Sequence, residues 1–121
     1  MIVGVGLDLV SIARAQGMVS RHGARLIARC CAPGEAARPD DAAHIAGLLA
    51  AKEAAFKALG SGWGMGVGWR DAVVSRAPSG APRLTLGDGA AARAAALGVR
   101  TVHLSITHSA GVAVAVVILE G

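Results

Sequence analysis

The first ten residues, MIVGVGLDLV, restrict the fold more than any other segment, because two glycines alternate with β-branched residues in one short apolar run. β-Branched residues favour a strand, and a glycine inside a strand often marks a place where something packs closely. We therefore predict a buried strand over residues 1–10 with close packing at Gly4 and Gly6. Asp8 is the exception in this strand, because a carboxylate is not expected among buried residues.

An Ala- and Leu-rich segment in the middle of the chain predicts a long helix. Its sequence, AAHIAGLLAAKEAAFKAL, consists largely of strong helix formers. Asp40 or Asp41 suits the N-cap, and the helix is expected to run to Leu59 and end at Gly60. The glycine-rich residues 60–68 predict a loop that either lets its backbone approach a ligand closely or merely connects two elements.

A shorter helix is predicted from Ser11, whose hydroxyl can cap its N-terminus, to Gly23. The second half of the chain alternates turn residues with short runs, which predicts strand, turn, strand, helix, strand, strand. Asp88 is expected to cap the helix in this half, and Gly98 to end it. The predicted strands cover residues 71–77, 83–86, 99–107 and 111–119.

These elements predict one small α+β domain over residues 1–121, with a mainly antiparallel sheet packed on the long helix. No repeat and no long linker divides the chain. Its longest apolar run, residues 112–119, is far shorter than the roughly 18 residues of a membrane span. The start of the chain has no basic region ahead of its apolar residues, so we expect a cytoplasmic protein without a membrane partner.

The charge of the chain favours an anionic partner, because the formal net charge is +4 and the isoelectric point is near 10.0. Its aromatic residues are only Phe56, Trp63 and Trp69, which do not form the stacking platforms of single-strand binders. We therefore expect no nucleic-acid partner. Cys30 and Cys31 are adjacent, which disfavours a disulfide between them and fits a reducing compartment.

The first predicted helix carries a basic stripe. Arg14, Met18, Arg21 and Arg25 recur every three or four residues, and this spacing places them on one helix face. The stripe either meets an acidic surface or is an ordinary solvated face, which is the commoner meaning of charges at helical spacing.

Four polar residues occupy positions where apolar ones are expected: Asp8, Glu53, Lys57 and His108. Each of these residues could instead have an ordinary structural role. Glu53 and Lys57 could form a helix ion pair worth about 0.2–0.5 kcal/mol, while Asp8 and His108 could be structural. Together, two carboxylates and a lysine also suit phosphate chemistry, because Mg²⁺ is usually held by one or two carboxylates plus phosphate and water oxygens. No Cys and His set has zinc spacing, and no glycine-rich loop opens a helix after a strand.

Three motifs occur in order along the chain. They are GVGLDLV at residues 4–10 followed by Arg14, AAKEA at residues 50–54 followed by KALGSG at residues 57–62, and LSITHS at residues 104–109. Together they resemble the holo-acyl-carrier-protein synthase family of small phosphopantetheinyl transferases over nearly the whole chain. The first two motifs are specific, whereas the third alone is weak.

The resemblance implies the 4′-phosphopantetheinyl transferase fold and its reaction. The 4′-phosphopantetheine arm of coenzyme A would be transferred to a serine of apo acyl carrier protein in fatty acid biosynthesis, with release of adenosine 3′,5′-bisphosphate. The resemblance also implies Mg²⁺ as the metal and a homotrimer with active sites at subunit interfaces.

The resemblance implies four catalytic residues. Asp8 and Glu53 would hold Mg²⁺ against the pyrophosphate, and Lys57 would stabilise charge on that group. His108 would lie near coenzyme A as a candidate proton acceptor.

Binding roles follow from the same resemblance. Lys57 and His108 would contact coenzyme A, and the loop that contains Gly60 and Gly62 would approach its nucleotide. The acidic helix of the carrier protein would be bound by Arg14, Met18 and Arg21.

The chain also departs from the family pattern. Leu48 stands where family members often have an arginine, and residues 26–35 lack the usual aromatic side chains. Two alternatives therefore stay open: a family member that serves a polyketide or nonribosomal peptide carrier protein, and a non-catalytic trimeric domain that binds an acidic partner. A magnesium titration would separate an enzyme from a binding module.

Overall fold

The computed structural model describes residues 1–61 and 66–121 and confirms the predicted α+β fold. Its helices are α1 (Ile12–Cys30), α2 (Ala42–Ala58) and α3 (Asp88–Ala96), and a short 3₁₀ turn covers Trp69–Asp71. Its strands are β1 (Ile2–Ser11), β2 (Ala72–Arg76), β3 (Pro82–Leu86), β4 (Thr101–Ser109) and β5 (Val112–Glu120). No helix in these residues is long and apolar enough to cross a membrane.

The main sheet has three antiparallel strands in the order β1-β5-β4, and β2 and β3 form a separate antiparallel hairpin. One face of the central strand β5 is fully buried through Ala113, Ala115, Val117 and Leu119. Because side chains alternate along a strand, this face packs on α2 while the other face of the sheet points away from it.

Helix α2 is the centre of the domain, since nearly all of its residues are buried. A helix that is apolar on every side is expected in such a position. The carboxylate of Asp41 accepts hydrogen bonds from the backbone N–H groups of Ala43 and His44, so the predicted N-cap is confirmed.

Strand β1 lies with its backbone directly against α2. A Cβ atom built on Gly6 would overlap the carbonyl oxygen of Ala54, and one on Gly4 would overlap that of Ala58. Only glycine permits this approach, so the close packing predicted at the two glycines is confirmed, and α2 is the element that packs there.

A buried ion pair ties the far side of α2 to the loop before it and to β2. Lys52 Nζ lies 2.9 and 3.0 Å from the two carboxylate oxygens of Glu35, and both side chains are fully buried. Lys52 also donates to the carbonyls of Trp69 and Ala72, and Glu35 accepts from the backbone N–H of Val74 at 2.6 Å. The two side chains therefore supply hydrogen-bond partners to backbone groups that would otherwise be buried without one.

Three predicted details are wrong. Strand β1 is not a buried strand: it is covered only where it faces α2, and the apolar side chains on its other face are exposed. Helix α1 does not end at Gly23 but continues to Cys30 across a kink, because Gly23 adopts a positive φ of 43° that only glycine takes readily. Asp88 does not cap α3: Gly87 is the N-cap in extended conformation, and Asp88 is already the first helical residue. The prediction placed the cap one residue late because glycine is also accepted at N-caps.

We predict that Gly6→Ala destabilises the protein by about 1–3 kcal/mol or more, because the added methyl group meets backbone that cannot move aside cheaply. Gly17→Ala in α1 is the matched control. Its Cβ would meet only the end of the flexible Arg21 side chain, at 3.0 Å, and alanine favours a helix. Urea unfolding measures both variants, and equal stability of the two would contradict the close β1–α2 contact.

Candidate active site

Asp8 reaches α2 because it lies two residues beyond Gly6 and therefore on the same face of β1. Its carboxylate is 17% exposed, and Lys57 Nζ lies 3.0 Å from its Oδ1. Lys57 also donates to the backbone carbonyl of Leu7 at 3.0 Å. The lysine thus links the last turn of α2 to β1 at the point where the two backbones meet.

Glu53 lies one helical turn before Lys57 and is half-buried. Its pKa is raised, first by burial and then by the negative charge of Asp8, while Lys57 and Arg14 act in the opposite direction. The two carboxylates therefore repel each other, and one lysine and one arginine offset that repulsion only in part.

One cavity of about 250 Å³ joins these groups to α1. Asp8 and Glu53 line it together with Arg14 and Met18 of α1, and Trp69 forms part of its wall. We call this space the carboxylate cavity. It brings together residues from β1, α1 and α2 that are far apart in sequence.

A second space of about 490 Å³ adjoins the first, and we call it the basic groove. Its charged residues are Arg25 and Arg29, on the part of α1 beyond the kink. It shares Met18, Cys30 and Trp69 with the carboxylate cavity. The guanidinium of Arg21 lies instead against Gly17, so the structure does not gather the whole basic stripe around one opening.

His108 is far from the carboxylate cavity in the same chain. Its Nε2 lies 2.9 Å from the carbonyl oxygen of Ala43, which precedes Glu53 by ten residues, or about 15 Å along α2. It lines a separate cleft of about 190 Å³ with Arg38, His44 and Arg76. A single chain therefore brings Asp8, Glu53 and Lys57 together and leaves His108 apart.

The surroundings of His44 in this cleft disfavour its protonated form. Burial lowers the pKa of His44, and the positive charge of Arg38 lowers it further. Its Nε2 atom is buried and has no hydrogen-bond partner among the described residues.

Gly60 follows α2 with a positive φ of 65°, as expected for a glycine that ends a helix. Arg93 of α3 donates to the carbonyl of the neighbouring Leu59 at 3.0 Å, so a cation stabilises this helix end. Gly62, the other predicted glycine contact, lies outside the described residues.

Lys52 and Glu35 have no role among the sequence-based predictions, although their ion pair is the most buried one in the described residues. A lysine inside an apolar, Ala-rich helix was an available signal, because a fully buried lysine needs a partner. The partner could not be read from the sequence, since Glu35 lies 17 positions away in a segment without a clear pattern.

The thiol of Cys30 borders both the carboxylate cavity and the basic groove. Burial raises the pKa of Cys30, and it raises that of its neighbour Cys31 to about 11. Both thiols are free and stay protonated at neutral pH, so neither is poised as a nucleophile.

The carboxylate cavity offers two carboxylates, Asp8 and Glu53, which are the ligand type that hard cations such as Mg²⁺ take. Residues 1–61 and 66–121 contain no group of three or more His, Cys, Asp and Glu side chains arranged to hold a metal ion. Two carboxylates on one cavity, with the charge of Asp8 raising the pKa of Glu53, suit a hard divalent cation that takes its other oxygens from phosphate and water.

A model of the 4′-phosphopantetheinyl transferase superfamily matches residues 4–117. The holo-[acyl-carrier-protein] synthase of Anaeromyxobacter sp. (strain K) is 54% identical to the chain over 129 aligned residues, which cover 100% of the chain and 98% of that protein. The enzyme of the same name from Nitratidesulfovibrio vulgaris (strain DP4) is 48% identical, with 99% of each protein covered.

Solved structures of holo-[acyl-carrier-protein] synthases are also similar to this chain. The Helicobacter pylori holo-[acyl-carrier-protein] synthase in complex with coenzyme A superposes with a TM-score of 0.85 at 35% identity, over 96% of this chain and 99% of that one. The Neisseria meningitidis enzyme superposes with a TM-score of 0.88 at 28% identity, over the full length of both chains.

We predict that Asp8→Asn lowers the pKa of Glu53 and that Lys57→Met raises it further. The first change removes a like charge, and the second removes an opposite charge. NMR titration of the carbon-13-labelled Glu53 carboxyl measures both shifts. A Glu53 pKa that is the same in Asp8→Asn and in the unmodified protein would show that the two carboxylates do not interact.

Proposed function

We propose a function from one premise: the chain belongs to the 4′-phosphopantetheinyl transferase superfamily. It is a holo-[acyl-carrier-protein] synthase, which transfers the 4′-phosphopantetheine arm of coenzyme A to a serine of apo acyl carrier protein and releases adenosine 3′,5′-bisphosphate. We further propose that this step serves fatty acid biosynthesis in the cytoplasm, and the two free cysteines agree with a reducing compartment.

One observation supports the proposal most strongly. Lys57 contacts Asp8 at 3.0 Å, and Asp8 and Glu53 line the same cavity. In the transfer, the serine oxygen forms a bond to the phosphorus that carries the pantetheine, and the bond from that phosphorus to the departing nucleotide oxygen breaks. The serine hydroxyl gives up its proton in this step, and His108 is the candidate acceptor. Such a reaction needs positioning and charge neutralisation more than covalent help from the protein.

We assign Asp8 and Glu53 as the residues that would hold Mg²⁺. Bound there, the ion would supply charge neutralisation on the pyrophosphate. The raised pKa of Glu53 supports the assignment, because a cation between the two carboxylates removes their repulsion. Lys57 is 55% exposed beside Asp8, so its ammonium is accessible to a phosphate oxygen.

We propose that the carrier protein docks on α1, with Arg14, Met18 and Arg21 among its contacts. Arg14 and Met18 line the carboxylate cavity itself, which supports a docking site next to the reacting phosphorus. Opposite charges at such a surface speed encounter and make the affinity sensitive to salt.

We also propose that the protein works as a homotrimer. The outer face of β1 exposes Val5, Leu7 and Leu9 to 58–60%, and the half-buried Val114 and Val116 of β5 continue this apolar surface. An apolar surface of this kind is typical of a protein interface. In such an assembly, His108 of one copy would complete the carboxylate cavity of a neighbour, although it lies far from its own.

The proposed reaction is tested by intact-protein mass spectrometry of apo acyl carrier protein incubated with the chain, coenzyme A and Mg²⁺. We expect a mass gain of one phosphopantetheine arm, about 340 Da from its composition, which disappears when a chelator removes the metal. Glu53→Gln should slow the transfer by about a hundredfold or more, because it removes a metal ligand. Transfer that is equally fast in the chelator would contradict the role of the metal, and no transfer to any carrier protein would contradict the function.

We predict that two inactive variants restore each other's activity if the site is shared between subunits. Glu53→Gln and His108→Ala, each impaired alone, should regain transfer when co-expressed with different tags and purified as a mixed assembly. Each mixed trimer then contains one interface with both residues intact.

The control is a mixture of the two variants prepared separately and assayed before their subunits exchange, which should stay inactive. The mass of the assembly in solution should be three times the 12.0 kDa of one chain. A monomer with full activity, or a mixed assembly without restored activity, would contradict a shared site.

A further inference from the structure

Trp69 occupies the boundary between the carboxylate cavity and the basic groove, and it lines both. The other residues common to the two spaces are Met18 and Cys30, so Trp69 provides the largest shared side chain. Any carrier-protein segment that enters from the basic groove therefore passes this indole before it reaches Glu53.

Two contacts fix Trp69 to helix α2. Its ring meets that of Phe56 edge-to-face, with centroids 5.6 Å apart and an interplanar angle of 68°. Its backbone carbonyl accepts a hydrogen bond of 3.1 Å from Lys52 Nζ. Because Lys52 and Phe56 flank Glu53 on the same helix, Trp69 is attached to the segment that carries the carboxylate.

The buried ion pair behind Trp69 holds this arrangement. Lys52 has four oxygen acceptors around its three N–H groups, two from Glu35 and one each from Trp69 and Ala72. A buried ion pair is a weak source of stability, because desolvation offsets much of the attraction. Its main effect here is to fix geometry, because Lys52 holds the 3₁₀ turn that contains Trp69 against α2.

We propose that the Trp69 indole contacts the serine-bearing segment of the carrier protein, and that Lys52 is a positioning residue that acts through Trp69. The proposal rests on the proposed transfer and adds the surface that guides the acceptor to the cavity. A flat, rigid aromatic wall places a docked segment at little cost in side-chain entropy.

The test compares Trp69→Ala with the conservative Trp69→Phe in steady-state transfer, with coenzyme A binding measured separately by calorimetry. We expect Trp69→Ala to lower kcat/KM for the carrier protein by about tenfold to a hundredfold, because small errors in position are costly to transfer. Its Kd for coenzyme A should stay within about twofold, since the change lies on the acceptor side. Trp69→Phe should recover most of the loss, because it keeps a ring that can meet Phe56.

Lys52→Met tests the link behind the indole. It should reduce kcat/KM for the carrier protein, and its combination with Trp69→Ala should cause little further loss, because both changes act on one contact. Leu84→Ala is the control for general destabilisation, since Leu84 is buried in β3 away from both spaces and should leave transfer by the folded protein unchanged. If Lys52→Met does not fold, the comparison of Trp69→Ala with Trp69→Phe decides the proposal alone.

Unchanged carrier-protein kinetics in Trp69→Ala would overturn the proposal, as would an equal loss in Trp69→Ala and Trp69→Phe. Losses that multiply in the double variant would overturn the positioning role of Lys52. Failure of the unmodified protein to transfer the arm contradicts the proposed function instead, so the two failures are distinguishable.

Discussion

The close contact of β1 with α2 at Gly4 and Gly6 brings the acidic side chain of the strand to the charged side chains of the helix. Because neither glycine has a side chain, the strand backbone meets the helix carbonyls directly. The next residue on that face, Asp8, then reaches Lys57 without a long side chain of its own. A strand held one side chain further away would leave the carboxylate cavity without one of its two acids.

The two lysines on α2 have contrasting environments. Lys52 is enclosed and fully hydrogen-bonded, with its charge matched by Glu35. Lys57, one turn and a residue further on, is half exposed beside two carboxylates that repel each other. The first arrangement fixes geometry, and the second leaves uncompensated charge where we propose that a metal ion and a pyrophosphate bind. In the proposed function, structural and functional charge are thus separated on one helix.

Much of the fold could be predicted because its signals are local. The cap at Asp41, the strand of alternating glycines and the hairpins all depend on residues close in sequence. The continuation of α1 through Gly23 depends on packing beyond the kink, so local signals ended that helix too early. The partnership of Lys52 with Glu35 and the boundary position of Trp69 depend on tertiary contacts that no sequence pattern encodes.

The central claim is that Asp8 and Glu53 together hold the divalent cation at the pyrophosphate. Anomalous diffraction from crystals grown with coenzyme A and Mn²⁺ in place of Mg²⁺ tests it most directly. The account predicts one manganese peak within about 2.0–2.4 Å of a carboxylate oxygen of each residue and of a pyrophosphate oxygen. A peak bound by other residues, or coenzyme A bound with its pyrophosphate away from both carboxylates, would contradict the account.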